Sequence, residues 1–246
     1  MRIFDEKVDI SYEKTKAFYD QRATKYNKEH PYISIMCQDD HPEIAEERNR
    51  VETSKILPIL SLTPTSRILD LGCGIGRWAD AITEKIEYYL GCDFSEELIA
   101  IAKERNQKEN YSFQAISAMD AALYCQDNGI SPFSHVIISG MMIYLNDSDV
   151  GRVLSSLDIL TQKNATVYIR EPMGVTNRLT LKDFYSEELK HDYNTIYRTR
   201  DEYQSMIRTF APHFEIYVHG PMFEDAALNN RKETAQFYFI LKKSVG

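Results

Sequence analysis

"RILDLGCGIGRWADAI", residues 67–82, runs from an apolar stretch through three alternating glycines into a helical pattern. Gly72, Gly74 and Gly76 fall where a strand must become a helix. Glycine there lets the chain turn tightly or lets a ligand approach the backbone closely. The spacing is G-x-G-x-G, whereas a dinucleotide fingerprint needs G-x-G-x-x-G, and Arg77 stands at that last position. The phosphate loop G-x-x-x-x-G-K-[ST] is absent. Asp70, at the end of the apolar run, opposes a phosphate but can accept a hydrogen bond from an ammonium group.

A second acid completes the pattern. "YYLGCDFS" ends at Asp93, nineteen residues after Gly74, where a carboxylate can take two bonds from ribose hydroxyls. An acid before the glycine turn and an acid after the next strand describe a site for an adenosyl ligand with an amino-acid end and no phosphates.

Further out, from about residue 66, short β-rich runs ("RILDL", "YYLGCD", "YSFQAI", "SHVIISG", "ATVYIRE") alternate with helical segments. "SEELIAIAKERN" has Ser95 as N-cap, and "DSDVGRVLSSLDIL" places Val150, Val153, Leu154 and Leu157 on one stripe. This alternation implies βαβ units and a parallel sheet. Residues 1–60 read as a polar helical cap, 66–172 as a cofactor-binding core and 173–211 as a Tyr- and Arg-rich helical lid. Residues 212–246, with "HFEIYVHG" and "AQFYFILKK", read as an antiparallel terminal hairpin, all within one domain.

The chain has 246 residues and a net charge of −8, from 29 basic and 37 acidic side chains, with no basic run longer than a pair. Nucleic acid and anionic membrane are therefore not the expected partners. The four cysteines lack paired spacing and read as reduced. Neither a signal peptide nor a span of 18 apolar residues is evident, so a cytoplasmic protein, monomer or homodimer, is expected. No metal site is expected.

"RILDLGCGIGRWA" followed by "YLGCDFSEELIAIAKE" resembles motifs I and II of the class I S-adenosylmethionine-dependent methyltransferases of small-molecule type. "SHVIISGMMIYLNDSD" and "NATVYIREP" are similar to that family's fourth and fifth strands. The resemblance implies an α/β fold with a Rossmann-like seven-stranded sheet of order 3214576, its last strand antiparallel. It implies S-adenosyl-L-methionine as cofactor, S-adenosyl-L-homocysteine as product and a small-molecule methyl acceptor, natural product or sugar-like. On this basis Asp70, Gly72 and Gly74 hold the methionine end, Asp93 the ribose, and Phe94 lies against the adenine. Ser139 borders the sulfonium. "FQAISAMD" departs from the family's Gly-Asp, so backbone groups of Ala118 and Met119, or Asp120, stand in for its acid. "FYDQRATKYN" resembles the family's covering N-terminal helix, with Tyr19 and Tyr26 as matches and Tyr19 the cofactor contact.

In-line methyl transfer needs alignment, and a base where the acceptor is a hydroxyl or a protonated amine. Side chains at the carboxyl ends of strands are the ones a parallel sheet brings to its site. That filter selects Tyr144, Glu171 and His219 as catalytic residues and excludes His135 and His213. Arg77 reads as a solvated helix residue, and Arg22 and Arg50 as further partners for a carboxylate. Aminopropyl transfer, nicotinamide chemistry and a non-catalytic cofactor-binding role are the competing readings, as is methylation of a macromolecule.

Overall fold

The computed structural model describes residues 1–187, 189–229 and 231–244. In chain order the elements are β1 (Arg2–Phe4), α1 (Tyr12–Ala23), α2 (Ile33–Met36), α3 (Pro42–Leu60) and β2 (Arg67–Leu71). Next come α4 (Arg77–Ala81), β3 (Tyr88–Asp93), α5 (Glu96–Arg105), β4 (Tyr111–Ala115), α6 (Ala121–Asp127) and β5 (Phe133–Ser139). A 3-10 turn at Met142–Tyr144 leads into α7 (Asp147–Leu160), β6 (Thr161–Gly174), β7 (Leu179–Ser186) and β8 (His191–Tyr197). The chain closes with α8 (Arg200–Phe210), β9 (Phe214–Pro221) and β10 (Thr234–Lys243).

Seven strands form one sheet in the order β4-β3-β2-β5-β6-β10-β9. β2 through β6 pair in parallel, and β10 lies antiparallel to both β6 and β9. This is the order that the family resemblance implies. The sheet carries apolar cores on both faces. Along β5, Val136 and Ile138 join α7 residues Val153, Leu154 and Leu157 on one side. Ile137 joins Ile56 and Leu60 of α3 and Trp78 of α4 on the other. Alternate side chains of a strand point to opposite faces, so a strand covered on both must be apolar throughout.

Residues 173–211 depart from the expected helical lid. β7 and β8 form an antiparallel hairpin, β1 adds to its edge through Arg2↔Leu181 and Phe4↔Leu179, and of the described residues there only Arg200–Phe210 is helical. The segment is rich in Thr, Tyr, Phe and Ile, residues suited to a pleated surface. Its inward side chains Leu179, Leu181, Tyr193 and Tyr197 pack with Phe18, Tyr19 and Tyr144 in a third apolar cluster. That cluster roofs the carboxyl ends of β2 and β5. α8 starts at a capping box, with Thr199 and Glu202 bonding reciprocally.

The N-terminal segment is laced to this roof. Tyr12 donates to Asp149 at 2.5 Å and accepts from the backbone of Asn146 at 2.9 Å, while Lys14 pairs with Asp183. Arg22 is buried and spent on Asp39 and the carbonyls of Ile33 and Ser34, fixing α1 to α2. Arg50 is exposed and paired with Glu47. Neither arginine reaches the cavity described next. All four cysteines are reduced and buried. Among the described residues no helix is long and apolar enough to cross a membrane.

Candidate active site

The turn after β2 has Gly72 at φ +74° and Gly74 at φ +54°, a region L side chains rarely adopt. The amides of Gly72 and Cys73 both donate to the Cys92 carbonyl, at 2.8 and 3.0 Å, which ties the turn to the end of β3. A Cβ on Gly72 would lie 2.5 Å from Cγ of Met141. Asp93 closes the arrangement: its Oδ2 accepts from the Gly74 amide at 2.9 Å and its Oδ1 from the Ser95 amide at 3.0 Å. The hydroxyl of Tyr89 donates to Oδ2 of Asp70 at 2.5 Å.

Both acids are almost fully buried. Burial pushes Asp70 up to about 7, against the pull of Tyr89 and Arg77. It pushes Asp93 up to about 6, against the pull of the Ser95, Gly74 and Phe94 amides. Desolvated carboxylates of this kind gain from a ligand that brings ammonium and hydroxyl donors, and lose from a pyrophosphate. The residues present therefore fit an adenosyl cofactor with an amino-acid end.

These groups line a cavity of about 380 Å³. Tyr19, Asp70, Gly72, Gly74, Asp93, Phe94, Ala118, Met119 and Ser139 all stand on its wall, as does Tyr144. Tyr144 is 8% exposed, its hydroxyl is 2.6 Å from that of Tyr193, and its ring meets that of Tyr19 edge-on at 5.1 Å. Burial raises the pKa of Tyr19, Tyr144 and Tyr193 well above the ordinary phenol value.

Two residues from the strand-end filter stand elsewhere. Glu171 is wholly buried beside the cavity, not on its wall. Its carboxylate accepts from the amides of Met141, Met142 and Ile143, at 3.1, 2.9 and 3.3 Å. The start of a helical turn leaves such amides without partners, and Glu171 supplies them. His219 is exposed on β9, the outermost strand, with its ring against Phe237 and Phe239. It occupies the right end of its strand, but β10 and β6 separate it laterally from β5.

Sequence reasoning misses a buried charge cluster on the same wall. Glu52 of α3 is 0% exposed. It accepts from the hydroxyls of Ser139 and Tyr168, both at 2.8 Å, and from Arg170 at 3.1 and 2.9 Å. Arg77 lies 3.2 Å away. The two guanidiniums and the Ser139 hydroxyl hold the Glu52 carboxyl down, at about 2, despite its burial. Arg77 is buried rather than solvated, and it also donates to Asn49 and Ser139. A signal exists in the sequence: Ala45, Arg48, Glu52, Ile56 and Leu60 share the inward stripe of α3.

A family model described as a methyltransferase domain matches residues 68–163. Phosphoethanolamine N-methyltransferase 1 of Caenorhabditis elegans is 24% identical over 194 residues, covering 78% of this chain and 38% of that protein. A 23S rRNA (uracil(1939)-C(5))-methyltransferase of Polynucleobacter necessarius is 34% identical over 85 residues, 35% of this chain and 18% of that one. The solved structure of Haemonchus contortus phosphoethanolamine N-methyltransferase 1, in complex with phosphoethanolamine and S-adenosylhomocysteine, shares the fold. It superimposes with a TM-score of 0.69 at 20% identity over 94% of this chain and 48% of that one. The chain spans less than half the length of each of these relatives. Residues 68–163 thus match a methyltransferase domain, and the glycine turn and strand order agree with the fold of these solved methyltransferases.

Proposed function

We propose that this chain is an enzyme that transfers a methyl group from S-adenosylmethionine to a nitrogen or oxygen of a small metabolite. The observation that carries the reading is a cavity lined both by the turn acids Asp70 and Asp93 and by Ser139, Tyr144 and Tyr193. The cofactor supplies an electrophilic methyl on a sulfonium. Asp70 and the Gly72–Gly74 backbone would hold its amino-acid end, Asp93 the ribose hydroxyls, and Phe94, Ala118 and Met119 the adenine. Tyr19 covers the cofactor from α1, and Ser139 borders the reacting centre.

Alignment and exclusion of water are the main catalytic demands on such a site. The roof formed by α1 and the β7–β8 hairpin meets the second. Tyr144, its phenol held in the protonated form, is the residue proposed to relay the acceptor's proton, with Tyr193 as its hydrogen-bond partner. A covered cavity of this size suits a small acceptor. Calorimetry with S-adenosylhomocysteine and with NAD tests the ligand class, and binding of NAD alone would sink the reading. Transfer of labelled methyl into cell extract, with small molecules and macromolecules counted separately, tests the acceptor. Label found only in RNA or protein would overturn the small-molecule assignment.

A further inference from the structure

Arg170 lines the cavity, level with Ser139 across the β6–β5 pair, and Gly140 makes room for it. Gly140 follows β5 at φ +74°, and a Cβ there would lie 3.1 Å from Nη1 of Arg170. The guanidinium is fixed from behind. Nε and Nη2 bond Glu52, and Nη1 donates to Gln236 at 3.1 Å. A guanidinium carries five N–H donors, so each terminal nitrogen keeps a second hydrogen beyond these bonds. Arg77 shares the same carboxylate. Two guanidiniums against one carboxylate leave an excess positive charge on this wall.

The neighbouring acids offset it only in part. Glu171 acts on Arg170 and Asp70 on Arg77, but burial raises both carboxyls to about 7. Glu171 is spent on the Met141–Ile143 amides and Asp70 on the Tyr89 hydroxyl. Trp78 lines the same cavity beside Arg77, and its buried Nε1–H has no hydrogen-bond partner. A buried positive charge with spare donors is costly unless a ligand completes it. Planar guanidinium forks match phosphate and carboxylate geometry.

We propose that Arg170, held by Glu52 and flanked by Gln236 and Arg77, is a subsite for an anionic group, phosphate or carboxylate, on the methyl acceptor. The proposal rests on the methyltransferase reading. It makes the acceptor a molecule with two ends: an anchor at Arg170 and a nitrogen or oxygen presented at Ser139 and Tyr144. The cofactor's own carboxylate is the other source of the same chemistry, and the test separates the two.

The protein saturated with S-adenosylhomocysteine is titrated with inorganic phosphate and with acetate, and binding is followed by calorimetry. At least one of the anions is expected to bind without displacing the cofactor product. Gln236→Glu sets a competing carboxylate against Arg170 while keeping side-chain size, and is expected to weaken that anion at least tenfold with S-adenosylhomocysteine affinity unchanged. Arg170→Gln should do the same. Because it strips a partner from buried Glu52, it is made together with Glu52→Gln. Two results overturn the proposal: no binding of either anion to the saturated protein, or a loss of S-adenosylhomocysteine affinity in Gln236→Glu. The second would give the anion subsite to the cofactor. Failure of the wild type to bind S-adenosylhomocysteine at all would instead overturn the underlying function.

Discussion

Tyr89 and Asp70 face each other across the parallel pair β3–β2, with the phenol donating to the carboxylate at 2.5 Å and both side chains sealed from solvent. Removing the donor leaves one carboxylate oxygen buried and unpaired. Tyr89→Phe should therefore cost about 1–3 kcal/mol of stability and push Asp70 still further from its ionised form. S-adenosylhomocysteine binding should weaken by roughly tenfold at neutral pH, an equivalent of about 1.4 kcal/mol. Calorimetry on the folded variant reads both effects.

The pH response follows from the same burial. Asp70, Asp93 and Glu171 are raised in the folded chain to about 7, 6 and 7. Between their unfolded values and these, the folded state holds more protons than the unfolded one. Their contribution to stability is fully present below pH 4 and is lost as pH rises towards 7. Glu52 is lowered to about 2, and its contribution runs the other way, present above its unfolded value and lost on acidification. The ligand-free protein should thus melt at a higher temperature near pH 5 than near pH 7.5. A cofactor ammonium at Asp70 favours the ionised carboxylate, so binding near pH 6.5 should release protons. Its calorimetric heat should then change with the ionisation enthalpy of the buffer.

Tyr144→Phe removes the proposed proton-handling hydroxyl and leaves the ring against Tyr19. Turnover should fall by 10²-fold or more, as loss of general acid–base assistance does, with S-adenosylhomocysteine affinity within a factor of two. His219→Ala should leave turnover unchanged, since the imidazole lies on the outer strand. Glu171→Ala should lose stability by about 3 kcal/mol or more by orphaning buried amides. A steady-state comparison with melting curves for the three variants separates these roles.

Gly72→Ala meets two obstacles together. The backbone is held at φ +74°, and the new Cβ would press on the Met141 side chain at 2.5 Å. Strain of this kind costs about 1–3 kcal/mol. The expected result is a lowered melting temperature and loss of S-adenosylhomocysteine binding, measured in one ligand-shift melting experiment.

The local part of the fold is legible in the sequence. The strand, turn and acid of residues 67–76, the second acid at Asp93 and the terminal β-hairpin are short-range patterns, and the structure has them where the residues place them. The β7–β8 hairpin is misread because its edge partner β1 lies 179 positions away, between Arg2 and Leu181, and no local period records that pairing. Glu52 and Arg77 are missed for a related reason. Arg77 reads as a solvated residue of its own helix, and Glu52 stands on the inward stripe of α3 with no partner near it in sequence. Only packing of α3 against the turn and β6 brings Glu52 to Arg77 and Arg170. The strand-end filter fails at His219 because it specifies the end of a strand and not its lateral distance from β5.

β1 pairs with β7, and α1 packs against β8. On the proposed function, the segment that would cover the cofactor and the hairpin that would wall the acceptor are thus joined as one roof. Moving either would disturb the other, and the entry of cofactor and of acceptor would be coupled.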